Sequence, residues 1–512
     1  MSPDLRNAKL MRAGQRETEV GDTVRNRYFN YAPFLLLTVL LLWPLALDGH
    51  PFYVADSASY LRGGAAGIDT GMLMLREWWQ GLFASGGSGA AADGGSSAAV
   101  AAAVSQSGGT RSLIYSLLTY MLRMPGQSLL ALVVFQAGAV ASVVLLVHRL
   151  IVPHASRRGR LVMAASMALF TPVAWSAATA MPDILAGVAL FGSIPLTLYL
   201  ERLGLVERLG LVLLLALAIT AHASHLPVAL ATLATGATIR FILRKPSRAE
   251  AVRDAFWFLG APALALAALL AVSYVGFGTA SVAPKRYPIL LARSVSDGPG
   301  LRYLQEHCGT ERYAICEIFG TDFPTHPREF LWGRSGVRYR ATPEQMERIR
   351  AEEWPIVLRA TAEYPLLQLT SSTRNFLRQF GSFGLGSINF KGEIVVAPTG
   401  RADLADVTED RPQLRAWLTA VIHVAFAISL AILLVLRRRL TKLERAALLV
   451  AGVGLISNAA VCGILSGVAD RYQARVAWAI PVLAMMIVLR IRSVGSVREP
   501  SLPKTFDTKA EP

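Results

Sequence analysis

The chain has 512 residues, of which 53% are hydrophobic and 17% charged, with a mean hydropathy of +0.43. That balance excludes an ordinary soluble domain and defines a polytopic membrane protein. The formal net charge of +16 would suggest nucleic acid in a soluble chain, but most of the surplus stands in short loops beside apolar runs, where it sets topology and meets membrane lipids, so no nucleic acid is expected as a partner.

In chain order, a polar arm over 1–30 precedes an apolar run from Tyr31 to Leu47. This run leads into Asp48-Gly49-His50-Pro51 without a small-residue cleavage pattern and reads as a retained anchor. Runs long enough to cross a bilayer as helices fall near 32–48, 128–151, 161–180, 184–200, 207–222, 225–243, 255–277, 416–437, 445–467 and 474–491, about ten in all. The two short runs around His222 also fit one broken hairpin, and 112–122 also fits a re-entrant or interfacial helix. The predicted fold is an all-α polytopic bundle of about ten transmembrane helices, with an extracytoplasmic domain that is mainly helical or mixed. Its parts are a cytoplasmic arm (1–30), an N-terminal membrane region (31–277) with an outer loop at 49–127, an extracytoplasmic domain (278–415), C-terminal membrane helices (416–491) and a cytoplasmic tail (492–512).

The loops sort by charge. Basic ones comprise the arm with Arg6, Lys9, Arg12, Arg16, Arg25 and Arg27, then Arg157 to Arg160, Arg202 to Arg208, Arg240 to Arg253, Arg437 to Lys442, and Arg490 onward. The positive-inside rule places these in the cytoplasm with both termini, in a membrane expected to be a bacterial inner membrane. The other loops, carrying Asp56, Asp183, His222 with His225, the 278–415 segment and Asp470 to Arg475, then share the outer face. In the outer loop an aromatic stretch with Trp78 and Trp79 gives way to a Gly-, Ala- and Ser-rich tract, Ala84 to Thr110, that reads as mobile. The 278–415 segment has globular composition and a predicted helix from Pro343 to Tyr364. Cys308 and Cys316 in it could form a disulfide in an oxidising compartment if a turn brings them together, or remain two free or buried thiols; Cys462 lies in an apolar span.

Several polar residues could carry chemistry. Asp56, just beyond the first span, could act as a general base, its basicity raised by partial desolvation; followed by Ser57-Ala58-Ser59-Tyr60 it also reads as a helix N-cap, which the local sequence favours. Asp183 after Met181-Pro182 reads as a cap too. Two acids at outer membrane edges can nonetheless divide proton transfer from orientation or metal binding, so a divalent metal is the cofactor considered. His222 and His225 are one helical turn apart, a spacing compatible with a metal, with carbonyl capping or with ligand binding. Arg471 and Arg475 break the charge sorting; four apart on a helix they share a face and could grip a phosphate, unless Asp470 clamps one of them. Lys285, Arg286 and Arg293 could add to that field or simply be solvated. Nucleotide-binding and nucleophile-elbow patterns are missing from the sequence.

With an acid just after the first span (Asp56), a second between the third and fourth (Asp183) and a late outer domain, the chain resembles the GT-C superfamily of integral membrane glycosyltransferases. The resemblance is one of plan from first span to last; Ala55 and Ser57 flank Asp56 where a paired-acid motif would put a second carboxylate. It implies a polyprenyl-phosphate sugar as donor, a glycan or lipid acceptor of the envelope, Asp56 and Asp183 as catalytic residues, and Arg471, Arg475, His222, His225 and Tyr60 as substrate contacts. Competing readings are a transporter or flippase for a lipid-linked glycan, and a non-catalytic envelope assembly protein. The sequence shows no internal repeat of the kind many transporters carry.

Overall fold

A computed structural model of the chain describes residues 31–83, 111–125, 128–283, 285–396, 402–405 and 411–497. The arm over 1–30, the Ala84 to Thr110 tract and most of the tail lie outside the described residues. What is described is nearly all α-helical; one short antiparallel hairpin pairs Ile394–Val396 with Ala402–Leu404, Ile394 opposite Leu404.

Six helices among the described residues are long and apolar enough to cross a membrane: Leu130–Ile151, His225–Arg244, Arg248–Phe277, Pro412–Leu436, Lys442–Leu465 and Arg471–Ser493. They make this an integral membrane protein by length and composition, and each overlaps a predicted run. The other four predicted runs form shorter pieces. The run at 32–48 is Tyr31–Leu41 followed by Leu45–Asp48, divided around Pro44, and 161–180 is Arg157–Phe170 followed by Val173–Ala178, divided around Pro172. A proline has no N–H to give the preceding turn, so each run breaks there. Asp183–Leu198 and Leu205–Thr220 have 16 residues each, about 24 Å of helix. Every residue of Asp183–Leu198 is buried. It is therefore the axis around which the bundle packs.

The basic loops are tied to one another. Arg240, buried, bonds Asp254 at 2.7 Å and Glu201 at 2.6 Å; Arg149 meets Glu207 at 2.6 Å; Arg490 meets Glu444 at 2.6 Å and donates to the Arg439 carbonyl. The acid-bearing loops meet separately, around the site described below. Two helices between the first two apolar runs, Ala55–Phe83 and Leu113–Met121, pack closely because Gly64 leaves room: a Cβ there would collide with the Ser116 carbonyl.

Residues 289 to 360 carry a second core, with Leu291, Tyr303, Ile315, Phe330, Ile349 and Ile356 buried. Its longest helix runs Pro343–Glu363, as predicted to within a residue. Thr342 Oγ1 accepts from the Gln345 N–H, Gln345 Oε1 accepts from the Thr342 N–H, and Pro343 opens the first turn. Cys308 and Cys316 are joined in a disulfide with Cα atoms 5.5 Å apart.

Candidate functional site

A small cleft opens among four pieces of chain. They are Val54 ahead of the Ala55–Phe83 helix, the turn from Trp175 to Asp183, the loop Gly384 to Ile388, and Arg471 with Ala474. Between the Val173–Ala178 and Asp183–Leu198 helices this turn is irregular backbone inside an apolar bundle, where each open carbonyl is costly. The four carbonyls from Ala177 to Ala180, where the first helix ends and the turn begins, are satisfied: Gln136 Nε2 donates to Ala177 (3.1 Å) and Thr179 (2.8 Å), the Phe52 N–H to Ala178 (3.0 Å), and Ser57 Oγ to Ala180 (2.9 Å). The Ala180 N–H returns a bond to Phe52 O at 2.9 Å.

Asp56 stands at the second position of its helix and is not the cap. Ser57 Oγ serves that end by accepting from the Val54 N–H at 3.1 Å, which leaves the Asp56 carboxylate to its ion pairs. One oxygen meets Arg111 Nη2, and the other meets Arg471 Nη2 at 3.2 Å. About a quarter of the Asp56 side chain stays exposed (26%). Burial pushes this carboxyl up, but the guanidiniums of Arg111 and Arg471 together outweigh it and hold the group below the usual aspartate range. The expected rise in basicity is therefore not the resting condition. Arg471 also donates to the Tyr472 hydroxyl at 3.3 Å and lies against its ring.

Asp183 opens the Asp183–Leu198 helix with Pro182 before it and makes no capping bond. Its Oδ1 accepts from Arg475 Nη1 at 3.0 Å. Arg475 is fully buried (0%) and its remaining donors meet Asn458 Oδ1 (2.8 and 3.1 Å), Ser224 Oγ (2.9 Å) and Cys462 Sγ (3.1 Å). The two arginines thus do not grip one anion together, because Arg475 is consumed by the bundle interior and Arg471 alone lines the cleft. Asp470 clamps neither. It accepts from the Gly386 N–H at 3.0 Å and so fixes the loop that walls the cleft.

Tyr60 is buried, with its ring edge-on to Tyr115 and the Arg111 guanidinium 5.6 Å from its centre. His222 Nδ1 pairs with Ser224 Oγ at 2.8 Å and His225 Nδ1 with the Ala218 carbonyl at 2.7 Å, their rings 5.4 Å apart. Neither belongs to a cluster with metal-ligand spacing; among the described residues that spacing occurs at Glu306, His307 and Glu363 in the second core's periphery. The cleft itself does not suit a divalent cation, since both Asp56 oxygens face guanidiniums and Asp183 faces another. Lys285, Arg286 and Arg293 are paired with Glu347, Glu353 and Asp297 instead of reaching the cleft.

Arg111 was not among the sequence candidates. It carried the same signal as Arg471, a cation at the start of an apolar helix, but its place beside the low-complexity tract hid it. No family model, curated protein or solved structure matches this chain.

Proposed function

We propose that the protein is a GT-C-type glycosyltransferase of about ten membrane crossings, which moves a sugar from a polyprenyl-phosphate donor to an envelope acceptor on the extracytoplasmic face of a bacterial inner membrane. The observation that carries this reading is the Arg111–Asp56–Arg471 cluster beside the cleft. Within that cluster two guanidiniums face one carboxylate, a local surplus of one positive charge suited to a lipid phosphate. The Cys308–Cys316 disulfide supports an oxidising, outer location for the domain that bears it.

In this mechanism the donor phosphate takes up Arg471 and Arg111. Asp56 loses both cations at that moment, and its basicity rises when an acceptor is present. Asp56 accepts the proton of an acceptor hydroxyl, the hydroxyl oxygen attacks the anomeric carbon, and the bond from that carbon to the phosphate oxygen breaks. The electron pair leaves on the polyprenyl phosphate, where the two guanidiniums stabilise it. Asp183 and Arg475 keep the floor of the site in place.

The test is profiling of glycans and lipid-linked sugars in cells carrying wild type, Asp56→Asn, Arg471→Gln or no protein, at matched membrane levels. Loss of the base is expected to lower transfer by about 100-fold or more, with the donor lipid accumulating. Wild-type behaviour of Asp56→Asn, set against a clear phenotype of the null, would overturn the reading in favour of a flippase or assembly protein.

A further inference from the structure

The helix Pro365–Gly381 is amphipathic in the inverted sense. Ser371, Asn375 and Gln379, each one turn from the next, are its buried residues. Asn375 Nδ2 donates to Asp297 at 2.9 Å, and Gln379 exchanges two bonds with the backbone of Ala469, at 3.0 and 2.9 Å. The opposite face exposes Leu366 (78%), Leu369 (65%), Leu377 (61%) and Phe380 (39%). A soluble domain would turn such a helix around, since leaving four large apolar side chains in water while sequestering three polar ones loses the hydrophobic contribution.

We infer that this face lies in the membrane interface, on the acyl chains and anionic headgroups of the leaflet on the cleft side. The helix packs against the Lys442–Leu465 span at Gly463, where a Cβ would stand 2.7 Å from the Asn375 carbonyl oxygen. Gly463 is two residues from the end of that span, about 3 Å along its axis, so the contact falls at the edge of the hydrocarbon layer. The apolar face therefore continues the span's own exposed surface, which on the side of Gly463 carries Ile456 and Leu449 one and two heptads below it. Arg374 and Arg378 flank the stripe, exposed and without an ion pair among the described residues, placed for lipid phosphates. The loop that follows directly, Gly384 to Ile388, walls the cleft, so this contact sets the cleft against the leaflet. The inference holds whether or not the protein transfers sugar.

The test uses the full chain in nanodiscs, with a fluorophore on Leu369→Cys or Leu377→Cys. Native thiols do not compete, because Cys462 is buried and the other two are bridged. Lipids with brominated acyl chains should quench both labels, aqueous iodide should not, and a label at Glu344→Cys, on an exposed turn, should show the reverse. Quenching at 377 should be stronger in phosphatidylglycerol than in phosphatidylcholine, and Arg374→Gln with Arg378→Gln should abolish that difference. Iodide quenching of both labels, or shielding from both quenchers that grows with protein concentration, overturns the proposal, as does a lipid preference that survives loss of the arginines.

Discussion

Asp56 and Asp183 have similar local sequence settings and different surroundings. Each begins a helix and reads as a cap, yet each is recruited by an arginine more than 290 residues away: Asp183 by Arg475 and Asp56 by Arg471. No local pattern reports such a partner, which is why the acids were legible as candidates and their pairing was not. The two pairs should respond differently to mutation. Arg475→Leu leaves a buried carboxylate without its cation and is expected to cost about 3–5 kcal/mol, seen as a large fall in thermal unfolding temperature in detergent. Arg471→Gln, at a partly exposed pair, should cost about 1 kcal/mol or less. The Asp56 carboxyl also has a pH signature. Its folded value is depressed, so its pairs contribute stability above the unfolded value and lose it as pH falls through the folded one. The stability difference between wild type and Asp56→Asn should be flat from pH 7 to about 5 and shrink below about 4. A difference already shrinking near neutrality would mean that the two arginines do not hold the group.

At the level of elements, what the sequence displayed best was length. The six long apolar helices fall where unbroken apolar runs do, since 20 or more such residues leave little alternative to a span. Two of the shorter runs, 32–48 and 161–180, divide into two helices each, because hydropathy averages across Pro44 and Pro172 while the backbone cannot. The inverted helix Pro365–Gly381 escaped notice for a related reason: its composition is ordinary, and only packing reveals which face turned inward. The Cys308–Cys316 bridge spans a separation of eight residues. Cys308→Ser with Cys316→Ser is expected to cost the second core about 2 kcal/mol through loop-closure entropy, measurable as faster limited proteolysis in that region while the bundle resists.

For the whole molecule, several ion pairs join loops of like charge assignment. Loops assigned by sign to one side bond to one another, Arg240 to Glu201 and Asp254, and Arg490 to Glu444, while Asp56, Arg111 and Arg471 gather elsewhere. If the sorted sides are cytoplasm and exterior, gentle reduction of intact spheroplasts should expose Cys308 and Cys316 to a membrane-impermeant maleimide, with Cys462 unreacted. Labelling that requires lysis would invert the topology.

The turn beneath the cleft has a mechanical consequence. A single amide, that of Gln136 on the Leu130–Ile151 span, holds the Ala177 and Thr179 carbonyls, and Phe52 and Ser57 hold those of Ala178 and Ala180. Separating any of these in hydrocarbon would strand a backbone dipole at a cost of several kcal/mol. Span, turn and loop are therefore coupled through these four bonds, so a change in the tilt of that span bears directly on the walls around Arg471.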